Sequence, residues 1–156
     1  MRHLLVFLLS VLSLIAADNP QPCPFCEIVA GTRPAAVVYR DPTVMAFLSI
    51  GPRNPGHVLV IPVQHAENFL TLPPATAREL IAVAQRIATA IKRTDLQAEG
   101  IQLQMNTGKA AGQTVFHAHL HVIPRFAGEP EPRSEKDRAT LAELEPIAAK
   151  IRAKLQ

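Results

Sequence analysis

His117, His119 and His121 stand at every second position of TVFHAHLHVIPR, residues 114–125. Alternate side chains of a β-strand share a face. The three imidazoles therefore point one way, and Ala118, Leu120 and Val122 point the other, into a core. A strand that needed only a solvated outer face would be served by Thr, Lys or Glu. Imidazole adds metal ligation and nucleophilic or proton-transfer chemistry near neutral pH. Spacing weighs between the two. Alternate residues lie ~6.8 Å apart, so the outer two histidines are ~13 Å apart at the backbone. Zinc holds its ligand nitrogens at ~2.1 Å. A neighbouring pair can converge on one ion, whereas all three from one straight strand cannot easily do so. As the central, doubly flanked ring, His119 is the natural nucleophile. The preceding loop GKAAGQT, residues 108–114, offers backbone N–H groups and the Thr114 hydroxyl to an oxyanion.

A second reactive pair is Cys23 and Cys26, in CPFC. Three readings compete. A redox dithiol of this spacing needs a long helix directly after the first cysteine, and the following EIVAGTRPAA is short and carries Gly and Pro. The thiolates can instead bind zinc. In an exported chain they can also be oxidised to a disulfide.

These residues need a scaffold, and the 156-residue chain is long enough for one domain with a real core. Hydrophobic residues make up 48%, which excludes a disordered chain, and with 4% aromatics that core is aliphatic. At the start, Arg2 precedes an apolar run from Leu4 to Ala17, broken only by Ser10 and Ser13. A membrane span needs ~20 residues, so residues 1–17 read as a cleaved secretory signal. The protein is then periplasmic or secreted, with no stable membrane span after cleavage. Removal of Arg2 leaves a net charge of about +2, given 16 Lys plus Arg and 13 Asp plus Glu in the whole chain. The basic residues are scattered, without aromatic interleaving, which argues against nucleic acid as a partner.

Strands are expected at VVYR, TVMAFLSI, HVLVIP, GIQLQMN and the histidine segment. Ile101, Leu103 and Met105 should share one face. GPRNPG reads as a turn. A long helix opens after Pro73 and Pro74 with Leu80, Ala84, Ile87, Ala88 and Ile91 at helical spacing. Residues 126–138 read as a polar loop. The tail from Thr140 to Gln156 should be a second helix with Ile147, Ile151 and Leu155 inward and Pro146 in its first turn. This order predicts an α+β fold with a mostly antiparallel sheet of about five strands, one long helix and a C-terminal helix.

HAHLHVI follows the pattern His-apolar-His-apolar-His-apolar-apolar. Together with CPFCEIVAGTRPAAVVYRD, MAFLSIGPRNPGHVLVIPVQH and MNTGKAAGQTVFHAHLHVIPR, it resembles the histidine triad (HIT) family of nucleotide hydrolases and transferases. The likeness runs from about Cys23 to Arg125. It implies a single HIT-like domain over 18–156, with a core at about 23–125 and a C-terminal loop and helix at 126–156.

The resemblance implies that His119 attacks the α-phosphorus of a nucleoside phosphoramidate or dinucleoside polyphosphate. A nucleotidyl-histidine forms, and water releases the monophosphate. His121 would bond the phosphate or assist the leaving group. Gln113 and Thr114 match the phosphate loop, Asn106 a polar position beside it, and His57 a buried histidine near the site. Ser49 falls where the family places an Asp or Asn ribose contact; a hydroxyl lacks the charged acceptor, so weaker nucleotide binding is expected. Bacterial members of similar sequence imply a structural zinc on Cys23, Cys26, His65 and His117, with no metal needed for the chemical step. They also imply a homodimer. Two competitors remain: a nucleotide-binding module with little catalysis, and a metal-dependent hydrolase using two triad histidines.

Overall fold

The computed structural model describes residues 23–129 and 138–155. The expected signal, 1–17, and most of the polar loop after Phe126 lie outside them. Three α-helices and five strands follow in chain order: α1 Pro24–Ala30, β1 Val37–Arg40, β2 Val44–Leu48, β3 Val58–Pro62, α2 Pro74–Lys92, β4 Gly100–Met105, β5 Leu120–Arg125 and α3 Leu141–Arg152. The strands form one antiparallel sheet in the order β1-β2-β3-β5-β4. The expected α+β architecture is the observed one. No helix among the described residues is long and apolar enough to cross a membrane.

β2 and β3 are apolar at every position because both faces are covered. Val44, Ala46 and Leu48 of β2 and Val58 and Val60 of β3 pack with α2 and α3. Their alternates, Met45, Phe47, Leu59 and Ile61, pack with Phe25 and Ile28 of α1. In α2 the buried stripe is Leu80, Val83, Ala84, Ile87, Ala90 and Ile91, at the spacing of one helical face.

Local chemistry sets the corners near the site. Cys23 caps α1, Pro24 opens it, and Gly31 closes it in the left-handed region at φ 76°. Between β2 and β3, Gly56 combines φ 84° with close packing. A Cβ there would lie 2.9 Å from Leu96 Cδ1, so only glycine fits the turn that delivers His57.

Two expectations need correction. The histidine strand begins at Leu120, so His117 and His119 precede it. In the β3–β5 register, Pro62 would stand opposite Ala118, but it has no N–H to continue the ladder. The Ala118 N–H bonds the Ala66 carbonyl instead, at 2.7 Å. Ala118, Leu120 and Val122 still enter the core as expected. Ile101, Leu103 and Met105 share one face of β4 as expected; Leu103 is 48% exposed there because β4 is an edge strand and α2 packs on β2, β3 and β5. Pro146 lies in the second turn of α3, because the Thr140–Glu143 capping box starts the helix at Leu141. The inward residues of α3 also include Leu144 and Ala148.

Candidate active site and metal centre

His119 is 5% exposed, and its Nδ1 lies 2.7 Å from the main-chain oxygen of His117. A carbonyl can only accept, so Nδ1 carries the hydrogen. In the neutral ring Nε2 is then a bare lone pair. Burial holds the ring below the ordinary imidazole pKa, partly opposed by that hydrogen bond. The local backbone therefore fixes one tautomer, with the Nε2 lone pair free.

A second chain of bonds fixes His121. The Arg53 N–H donates to His57 Nδ1 at 3.1 Å. His57 must then carry its hydrogen on Nε2, which lies 2.9 Å from His121 Nδ1. That nitrogen accepts, and the remaining hydrogen of neutral His121 sits on Nε2, as a donor. Burial, reinforced by the neighbouring histidines, pushes His57 down to about 3 and His121 to about 4. The His119 and His121 rings lie 4.9 Å apart between centroids. One presents a lone pair and the other an N–H.

His117 faces elsewhere. It is fully buried, with Nε2 3.0 Å from the Pro62 carbonyl, so Nε2 donates and Nδ1 is left as a ligand. Nδ1 lies 3.4 Å from Cys23 Sγ, 3.6 Å from Cys26 Sγ and 3.3 Å from His65 Nδ1, and Cys26 Sγ to His65 Nδ1 is 3.3 Å. Tetrahedral zinc, with bonds of about 2.3 Å to sulfur and about 2.1 Å to nitrogen, places sulfur about 3.6 Å from nitrogen and the two nitrogens about 3.4 Å apart. All four donor atoms lie within 4.8 Å of one another. The cysteines are unbridged. Burial and the neighbouring Cys23 raise the Cys26 thiol to about 11, so metal binding there must displace a proton.

The other expected contacts are placed less simply. Gln113 is 2% exposed and its amide is turned inward: Nε2 donates to Glu67 and Val115 carbonyls at 2.7 and 3.0 Å, and Oε1 accepts from Gly108 N–H at 2.8 Å. It clasps the 108–113 loop rather than reaching outward. The N–H groups of Ala111, Gly112 and Gln113 also bond within that loop, so the expected row of free loop donors is reduced. Thr114 is exposed. Asn106 Nδ2 donates to the Gly112 carbonyl at 3.3 Å, which closes the loop. Ser49 is buried after β2, and its Oγ accepts from Gly51 N–H at 3.3 Å.

The sequence reading missed Phe25. Its ring meets His119 edge-on at 5.3 Å and His117 at 5.8 Å between centroids. Its place between the two cysteines was the available signal, since a helix that delivers both thiols also delivers the residue between them. The Pro62 carbonyl and Arg53 amide left no side-chain signal.

The HIT domain profile matches residues 30–128. The chain belongs to the HIT family. Among HIT relatives, an uncharacterized HIT-like protein of Saccharolobus solfataricus is 40% identical over 122 residues, covering 74% of this chain and 87% of its own. An adenylylsulfatase of Arabidopsis thaliana is 34% identical over 103 residues, covering 66% of this chain and 52% of its own. A zinc-bound histidine triad family protein of Mycobacterium smegmatis superposes with a TM-score of 0.76 at 42% identity, covering 85% of this chain and 92% of its own.

Proposed function

We propose that the protein is an exported HIT-type hydrolase or transferase that cleaves a phosphorus–nitrogen or phosphorus–oxygen bond at the α-phosphate of a nucleotide. The carrying observation is the His119 bond to the His117 carbonyl, which leaves Nε2 unprotonated in a ring that burial keeps neutral. Nε2 forms a bond to phosphorus as the far-side bond breaks. The departing group leaves with the electron pair and takes its proton from solvent. The positive charge that develops on His119 is stabilised at Nδ1–H by the carbonyl. Water then attacks phosphorus, releases the monophosphate and restores neutral His119. His121, a neutral donor at Nε2, hydrogen-bonds a phosphate oxygen in both steps.

Incubation with adenosine phosphoramidate and diadenosine polyphosphates tests this against His119→Ala. Turnover by the parent protein should fall on the order of 10⁴-fold or more in the variant. Equal turnover by both would refute the reading.

Cys23, Cys26, His65 and His117 would hold zinc as a closed structural site, tying α1 to the segment before β5. Bound there, zinc supplies cross-linking and no open position for substrate. A metal-dependent hydrolysis by two triad histidines gains no support, because this cluster takes His117 and leaves out His119 and His121. The homodimer reading is supported by exposed Leu103 on the open edge strand β4 and exposed Phe69 and Ile81, which line one cleft with Met105 of that strand. Exposed apolar groupings of this kind mark protein contacts.

A further inference from the structure

The β3–β5 ladder ends at the Val58–Val122 pair, one residue short of His57. Beyond that point a side chain holds the turn that carries His57. Asn54 is 5% exposed, and its Nδ2 donates to the Pro124 carbonyl of β5 at 2.8 Å and to Glu129 Oε2 at 2.9 Å. Amide orientation is ordinarily a matter of assignment. Here a carbonyl, which only accepts, faces the amide and fixes it, and both hydrogens are used. The Asn54 main-chain oxygen accepts the His57 N–H at 3.1 Å. One residue therefore grips β5 with its side chain and His57 with its backbone.

The anchors are themselves held. Glu129 Oε2 also accepts the Phe126 N–H at 3.2 Å, and Glu129 pairs with Arg125, so the turn after β5 closes around the Asn54 amide. The Pro124 carbonyl belongs to a buried residue. Among the described residues, the Asn54 amide makes the hydrogen bonds that join residues 51–56 to β5 and the turn after it. What it holds matters because His57 is a diagonal neighbour of His121, which pairs with Leu59. The distance between the two rings depends on where the turn sits.

We infer that Asn54 is a positioning residue for His121. This rests on His121 as the donor to a phosphate oxygen. His57 Nε2–H reaches His121 Nδ1 over 2.9 Å and thereby keeps the His121 hydrogen on Nε2. Good hydrogen bonds of this kind end at about 3.2 Å, so a turn displaced by about 1 Å loses the bond. His121 can then move its hydrogen to Nδ1 and turn a lone pair toward the phosphate. Leucine at position 54 keeps most of the bulk, has no donor, and leaves the buried Pro124 carbonyl unpaired.

Asn54→Leu, made in the parent and in His57→Phe, tests this by ring ¹⁵N shifts of His121 and by steady-state kinetics. In the parent it should mix the His121 tautomers and lower kcat about tenfold or more, with a smaller change in KM. In His57→Phe it should cost less than about twofold further, because the contact it acts through is already gone. Tautomers unaltered by Asn54→Leu, or losses that multiply in the double variant, would overturn the inference. If the leucine variant does not fold, Asn54→Ser, whose hydroxyl has one hydrogen for two acceptors, is read by the same criteria. An Asn54-dependent tautomer in a parent protein that turns over no nucleotide would uphold the positioning and sink the nucleophile reading instead.

Discussion

The main-chain oxygen of His117 lies 2.7 Å from Nδ1 of His119, while the side chain of His117 joins the cysteine cluster. One residue thus touches both the proposed nucleophile and the four-residue cluster proposed to hold zinc. Each contact uses a different part of it.

Loss of the metal centre should therefore show in both stability and catalysis. Cys26→Ser is expected to abolish stoichiometric zinc and cost about 2–3 kcal/mol, or roughly 4–12 °C in Tm. The catalytic loss should fall on kcat more than on KM, because α1 also presses Phe25 against His119. Metal analysis, melting and steady-state kinetics check this. Zinc retained at full stoichiometry would remove the basis of the assignment.

His57→Phe removes the donor to His121 Nδ1 and leaves the Arg53 N–H without its partner. A stability cost of about 1–3 kcal/mol is expected. The His121 tautomer should also become mixed, which ¹⁵N chemical shifts of its ring would read. A single unchanged tautomer would show that His57 only fills space.

Acid should destabilise the fold before carboxylates titrate. His57 and His121 are held down to about 3 and about 4 when folded, and charge near pH 6.5 when unfolded. The unfolded chain then binds more protons, so this stability is fully present above pH 6.5 and is lost as pH falls toward 3–4. With both histidines contributing, the decline from pH 7 to 4 should be on the order of 6 kcal/mol. Denaturant melts across that range measure it, and His57→Phe should flatten the slope.

Ser49→Asp supplies the charged acceptor missing from the expected ribose position. AMP affinity should rise about fivefold, measured by calorimetry. Unchanged affinity would mean that Ser49, which here bonds Gly51 N–H, does not reach the nucleotide.

Much of the scaffold was legible because its signals are periodic. The unbroken apolar runs of β2 and β3 and the periodic α2 stripe follow from burial on two faces and on one. What escaped the sequence depends on partners without side-chain signatures. Where the histidine strand begins is set by the missing N–H of Pro62, far along the chain. The start of α3 was set by the Thr140–Glu143 box rather than by Pro146. The residue types of the cluster were visible, but which nitrogen of each ring is free was not, because carbonyls and amides of Pro62, His117 and Arg53 decide it.

The acceptor that fixes His119 is a peptide carbonyl, so it is present whatever residue occupies position 117. Mutational scanning there would score changes in metal content and folding, and would remain blind to the same residue's hold on the nucleophile. Replacing the amide linkage after residue 117 with an ester, by backbone-modified synthesis, weakens that carbonyl as an acceptor and leaves every side chain intact, but it also deletes the Ala118 N–H that bonds the Ala66 carbonyl. An ester after residue 66, which weakens the acceptor of that second bond and leaves the His117 carbonyl untouched, is the control that separates the contributions.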